Sequence, residues 1–302
     1  MSTELMQQLQ QVQRLATSGK AARALHHPIR YLNAMAFLKM VYPRTHKGVF
    51  KKATTFFGQP MELLLPAATD IYLTGGKTHD SEIRLAAFMI NTIQPGQTYI
   101  DIGAHFGYYT LLAAKLTGSS GKVFAFEAAK NTFGVLNRNA AGLQQVKAMH
   151  NAVSDSSETI SFYEFPVLYS EYNSMNVGQF ENEAWINKYK PAKTEVKAVR
   201  LDDFVKQQQV VPSFIKIDVE GAEDKVIAGG LETFGKHAPV IVMEFLSAER
   251  LNAPHQAAAN LLKELGYKTY IINKEGKQEV ITDIGSYFAA NDIESDNIVF
   301  IK

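Results

Sequence analysis

The chain of 302 residues contains no cysteine. That one absence removes disulfide frameworks, Cys-ligated zinc, iron–sulfur clusters and every thiol nucleophile. No apolar stretch approaches the roughly 18 residues that a membrane span needs. The longest uncharged run, Leu85 to Ile100, is broken by Asn91, Gln94, Pro95, Gly96 and Gln97. The N-terminus, MSTELMQQLQQVQRLATSGK, lacks the apolar centre of a secretory signal, so a soluble, cytoplasmic protein is expected. Acidic residues are missing from Leu5 to Met61, where nine basic ones occur. The remainder then carries 22 basic residues against 30 acidic, a segregation that points to two organisational units.

Residues 1–78 read as an N-terminal cap of helices and short strands. Leu5, Leu9, Val12 and Ala16 stand at helical spacing, and Pro28 to Val41 reads as a second helix ended by Pro43. From residue 79 the pattern becomes strand–helix alternation. Apolar strands are expected at 98–103, 122–127, 146–154, 213–219, 239–245, 267–273 and 297–302. Strands this apolar imply an α/β fold with a mostly parallel sheet covered on both faces. No clear helix separates the last two, so one of them is expected to run antiparallel. Residues 161–191 stand apart: eight aromatics, including the only Trp, fall in this stretch. It reads as a long excursion over the sheet, a lid on an acceptor, a hydrophobic plug or a dimer contact, based on paired strands TISFYEF and EVKAVR.

The strongest chemical signal is YIDIGAHFGYYT (99–110), a strand ending in Asp101, a turn with Gly103 and Gly107, and a helix. Glycines there leave backbone open to a ligand, and the helix start offers free N–H groups; a plain packing turn is the alternative. A phosphate loop would need Lys-Ser/Thr, which is absent. A dinucleotide fingerprint would need glycine where His105 and Tyr108 stand. Glu127 ends the next strand, 24 residues beyond Gly103, where a carboxylate can accept hydrogen bonds from ribose hydroxyls. Together these suit an adenosine ligand without phosphates but with an amino-acid tail, S-adenosylmethionine. SFIKIDVEGAED (213–224) puts Asp218 at the carboxyl edge beside the first strand, followed by Glu220 and Glu223. The plain reading of Glu223 and Asp224 is as acids favouring a helix N-terminus.

DIGAHFGYYT, VFAFEA, NAVSD, EYNSMNV, VRLDDF, IKIDVEGAE and IVMEF, in that order, resemble the FkbM-type methyltransferases over about residues 60–302. The resemblance implies a class I methyltransferase, Rossmann-like sheet of seven strands, S-adenosylmethionine as methyl donor, and usually oxygen methylation of sugars or secondary metabolites. It places the glycine turn on Asp101, Gly103, Ala104 and Gly107 and the ribose acid on Glu127. The adenine-side loop falls on Ser154 and Asp155, and the acceptor-side acid on Asp218 or Glu220. His105 stands where the family usually has Asn, and Ala128 where it usually has Pro.

A hydroxyl acceptor calls for a general base, for which Asp218, Glu220, His105 and Glu244 are candidates. A metal pairing Asp218 with Glu244 is disfavoured because no dense acidic cluster shows in the sequence, so no metal is expected. The expected partner is a small-molecule or glycan acceptor. The basic cap could still touch an anionic surface or RNA, but cytosine-C5 chemistry lacks its Cys and no N-P-P-Y motif occurs. A non-catalytic binding module of the same fold is the third reading.

Overall fold

The computed structural model describes residues 2–175, 177–180 and 185–302. The chain opens with helices α1 (Ser2–Thr17), α2 (Lys20–His26) and α3 (Pro28–Ala36), a π-helical turn at Phe37–Val41 and α4 (Tyr42–Thr45). Leu5, Leu9 and Val12, at the expected spacing, form the buried face of α1. A hairpin of β1 (Val49–Thr54) and β2 (Pro60–Leu65) follows, then α5 (Thr69–Thr74) and α6 (Asp80–Thr92).

Alternation begins with β3 (Thr98–Ile102), α7 (Tyr108–Thr117), β4 (Lys122–Phe126), α8 (Lys130–Ala140) and β5 (Val146–Met149). The excursion is framed by β6 (Ala152–Val153), β7 (Thr159–Glu164) and β8 (Ala192–Val199). Next come α9 (Leu201–Gln208), β9 (Phe214–Ile217), α10 (Glu223–Ala228), α11 (Leu231–His237) and β10 (Val240–Leu246). The chain ends with α12 (Ala253–Glu264), β11 (Lys268–Ile272), β12 (Gln278–Val280), α13 (Ile284–Asn291) and β13 (Ser295–Ile301).

The main sheet has eight strands in the order β12-β11-β13-β10-β9-β3-β4-β5. From β10 to β5 all neighbours are parallel, whereas β13 runs antiparallel to both β10 and β11. This is a mostly parallel α/β sheet, and its reversed strand is one of the two expected to include it. Every residue of β3 and β9 is buried, as an interior strand covered on both faces requires. The chain runs outward from β3 through β4 to β5 and then returns to β9 on the other side of β3, which opens a crevice at the carboxyl ends of β3 and β9.

Three expectations change. The sheet has eight strands because β12, a short exposed strand, adds a hairpin at the edge. The strand expected at 146–154 is two: β5 joins the main sheet, while β6 pairs with β8 in a separate sheet that also holds β7. A helix does separate the last expected strands. α13 buries Ile284 and Phe288, four residues apart, and Asp283 caps it by accepting the Ser286 N–H. The flanks of the excursion pair antiparallel, with Thr159 opposite Lys197.

Candidate active site

A cavity of about 640 Å³ lies at the crevice beyond β3 and β9. One wall is the glycine turn. Gly103 has φ +80°, and a Cβ there would lie 1.7 Å from the Asp218 carbonyl oxygen. Glycine is therefore demanded by the loop after β9 passing against the turn, not only by a ligand. The Gly103 and Ala104 N–H groups both donate to the Phe126 carbonyl, at 3.0 and 2.9 Å. That leaves the next N–H, of His105, to donate to Glu127 Oε2 at 2.8 Å, while Glu127 Oε1 accepts from Ala129 N–H at 2.9 Å. Burial pushes the Glu127 carboxyl up to about 7.

Gly103, His105 and Glu127 line this cavity; Asp101, Ala104 and Gly107 do not. Asp101 stands behind the turn, where its Oδ2 accepts the Thr110 hydroxyl at 2.6 Å and its buried Oδ1 has no hydrogen-bond partner among the described residues. Ala104 borders a second cavity of about 270 Å³. Gly107, at φ +90°, starts α7 against Leu136. Ser154 and Asp155 also fall outside. They bond to each other at 3.0 Å, and the Ser154 carbonyl presses on Gly229, where a Cβ would meet it at 2.1 Å. The chain break after β5 turns these two toward the α10–α11 junction, so Asn151, Ala152 and Val153 form the wall instead.

Toward the β10 side of the crevice Asp218, Glu220 and Glu244 converge, their carboxylate oxygens within 4.8 Å of one another. The loop after β9 and strand β10 assemble this dense acidic cluster, which spacing along the chain conceals. Lys216 Nζ lies 2.9 Å from Asp218 Oδ2. Burial opposes ionisation of Asp218, but that ammonium outweighs it and holds the carboxyl below the ordinary range. Glu220 and Glu244 are driven well above theirs, first by burial and then by neighbouring carboxylates. Glu220 sits at φ +56°, a left-handed conformation unusual for a branched-free acid outside a turn.

Glu223 holds this loop from behind. It accepts the Gly221 N–H at 3.1 Å and is 1% exposed, so it is no surface acid complementing a helix dipole. His255 Nε2 lies 3.4 Å from it. Burial pushes Glu223 up to about 7 and holds His255 down to about 4, so near neutrality the imidazole is uncharged and the carboxyl close to half protonated.

The excursion and the cap close the cavity. Ser170, Glu171, Tyr172 and Asn173 line it from above. His105 Nε2 and Ser170 Oγ are 3.0 Å apart, Ser174 Oγ donates to the Glu220 carbonyl, and the Leu168 N–H donates to Tyr42 Oη at 3.1 Å. Burial, then the charge of Lys77, holds His105 down to about 3, which makes it a weak base. Behind Tyr172, Trp185 stacks on Tyr169 with centroids 4.2 Å apart. Asn176 and residues 181–184 of the excursion lie outside the described residues. From the cap side Asp70, Lys77 and Glu82 reach in, with Lys77 Nζ 2.9 Å from Glu82 Oε2. Sequence reasoning missed these three. Glu82 in the first turn of a helix reads as a dipole partner, and nothing local marks Lys77 as its mate.

A family model described as the methyltransferase FkbM domain matches residues 101–269, more than half of the chain. No curated protein matches the sequence. Among solved structures, similarity extends to the methyltransferase FkbM of Methylobacillus flagellatus. That likeness has 12% identity and a TM-score of 0.41, covering 78% of this chain and 53% of that one. The chain thus spans about half the length of that relative. It is also similar to Aeropyrum pernix fibrillarin in complex with S-adenosyl-L-methionine, at 10% identity and a TM-score of 0.41, covering 72% of this chain and 74% of that one. A S-adenosylmethionine-dependent O-methyltransferase of Thermotoga maritima shares 13% identity at a TM-score of 0.38, covering 83% of this chain and 76% of that one. The family match runs from the buried Asp101 through the glycine turn and the Asp218 loop, and on it the chain belongs to the FkbM methyltransferases, whose methyl donor is S-adenosylmethionine.

Proposed function

We propose that the protein moves a methyl group from S-adenosylmethionine to a hydroxyl of a sugar, glycan or other small metabolite, and that it works in the cytoplasm. One observation carries the reading: a single cavity is lined by Glu127 beyond β4, by the glycine turn after β3, and on the β10 side by three converging carboxyls. Its volume lies within the range of about 300–1,000 Å³ typical of small-ligand pockets.

The donor fits the residues present. Its ribose hydroxyls suit Glu127, its cationic sulfonium and ammonium groups suit a wall rich in carboxyls, and it brings no phosphate for that wall to repel. Gly103 and His105 would flank its methionine portion, with Phe126, Ala128 and Asn151–Val153 around the adenosine. When bound, S-adenosylmethionine supplies a methyl group on a positively charged sulfur, open to in-line displacement by an oxygen.

The chain's own work is alignment and proton handling. Lys216 keeps Asp218 ionised, so it can accept a hydrogen bond from the acceptor hydroxyl but is a weak base. Glu220 and Glu244, with raised carboxyl pKa values, are the better proton acceptors once ionised, and the trio titrates as a coupled set. His105, held uncharged and bonded to Ser170, serves to join the glycine turn to the excursion. We assign the excursion as the lid that excludes water and presents Tyr172 to the acceptor.

Incubation with methyl-labelled donor and host extract, divided into carbohydrate, lipid, other small-molecule and RNA pools, tests the reading. Alkali-stable label in the carbohydrate or small-molecule pool is expected. Label confined to RNA would overturn hydroxyl methylation of a metabolite, and donor binding without label in any pool would make the protein a non-catalytic module.

A further inference from the structure

Ten large apolar side chains are exposed among the described residues, and five of them lie on the short stretch from Leu25 to Val41. Leu25 is 81% exposed, Ile29 74%, Leu32 67% and Met40 63%. With exposed Ala36 between the last two, they are spaced by four, three, four and four residues. Within α3 the spacing of Ile29, Leu32 and Ala36 puts them on one outward face, while Leu25 is exposed on α2 before the break at His27 and Met40 in the π-helical turn that follows. The opposite side is fixed to the body: Ala34 and Tyr42 are buried, and the Arg30 guanidinium lies over the Tyr72 ring, 5.5 Å from its centroid. The stripe is therefore anchored from behind and faces solvent.

The segment that carries it has one sign of charge. Lys39 within it and Arg44, Lys47 and Lys52 shortly after it in sequence are exposed, within the 57 residues from Leu5 to Met61 that hold no acid. An apolar stripe inside a basic field is the pattern of a helix lying in a membrane interface. A second copy of the chain fits poorly, because a two-fold contact would set each basic field against its twin. Nucleic acid would neutralise the lysines but leave Leu25, Ile29, Leu32 and Met40 in water. We propose that α2, α3 and the π-helical turn form a docking surface for the anionic face of a lipid bilayer. The apolar stripe enters among the acyl chains, and the basic residues meet the headgroups. No helix among the described residues is long and apolar enough to cross a membrane, so the contact is peripheral.

Co-sedimentation of the full chain with vesicles tests this. Vesicles of phosphatidylcholine with phosphatidylglycerol should bind it, in a manner weakened by salt, and pure phosphatidylcholine should bind it far less. The double variant Ile29→Ser, Leu32→Ser should lower partitioning about tenfold or more, since two side chains lose their apolar contact. Its melting temperature and donor affinity should match the wild type, because both positions are exposed and lie outside the cavity. Lys39→Glu with Lys47→Glu should weaken only the binding to anionic vesicles. No preference for anionic vesicles, or wild-type binding by the Ser variant, would overturn the proposal. So would self-association in the absence of lipid that the Ser variant abolishes, or binding to an RNA homopolymer in place of vesicles.

Discussion

Truncating Tyr172 separates a lid from a plug. Its ring lies 5.3 Å from Trp185 in a nearly parallel stack, 5.3 Å from Phe180 and 6.1 Å from Tyr169. At about 0.5–1.5 kcal/mol per aromatic pair, Tyr172→Ala removes about 2–4 kcal/mol from the packing of the excursion. Three tethers remain, from Ser170 to His105, Leu168 to Tyr42 and Ser174 to the Glu220 carbonyl. At about 0.5–1.5 kcal/mol each they nearly match that loss, so the segment loosens without detaching. The acceptor Michaelis constant should rise about tenfold while donor affinity stays within about twofold. Because the chain has a single Trp, its emission reports the excursion directly, and acceptor binding should shift it in the wild type but not in the variant. If Tyr172 instead plugs the core, truncation costs about 3–5 kcal/mol globally. A melting temperature lower by about 10 °C, with donor affinity lost alongside, would refute the lid.

Gly103→Ala should abolish donor binding and lower the melting temperature together, since its Cβ would collide with the Asp218 carbonyl at a positive φ; circular dichroism and calorimetry read both. Asp218→Asn should reduce turnover at least about tenfold with little change in donor affinity, and it should also alter the pH–rate profile, because Lys216 loses its partner and the Glu220–Glu244 pair loses a repelling charge. Stability should respond to pH at four buried groups, read from melting temperatures. Glu127 and Glu223, raised from 4.5 to about 7, contribute stability fully present below pH 4.5 and lost as pH rises through about 7, at most about 3 kcal/mol each. His105 and His255, depressed from 6.5 to about 3 and 4, contribute stability present above pH 6.5 and lost as pH falls toward those values. Glu223→Gln should therefore flatten the decline between pH 5 and 7 and leave the acid limb unchanged.

What was legible in the sequence is what the chain settles locally. The strand–turn–helix around Gly103, the acid ending the next strand and the Asp218 loop each occupy a dozen residues or fewer, and their positions at a carboxyl edge follow from alternation alone. Contacts between distant segments stayed hidden. Tyr42 and Leu168 are 126 residues apart, and Ser174 and the Glu220 carbonyl are 46 apart. Ser154 and Asp155 stand outside the cavity because the strand expected to carry them breaks after Met149 and changes sheets. Glu223 was disguised by its place in a first helical turn, although burial makes it the brace of the loop. The acidic trio gathers residues from β10 and the loop after β9, which no spacing rule joins.

A division of labour between the β4 and β10 sides of the cavity is the central claim, and paired calorimetry and turnover on two variants tests it most directly. Glu127→Ala, which removes the ribose acceptor, should weaken S-adenosylhomocysteine binding by about 2–4 kcal/mol. Glu244→Gln, on the β10 side, should keep that affinity within about twofold and lower turnover by about 10²-fold or more. Wild-type affinity in a folded Glu127→Ala protein, or wild-type turnover in Glu244→Gln, would contradict the account.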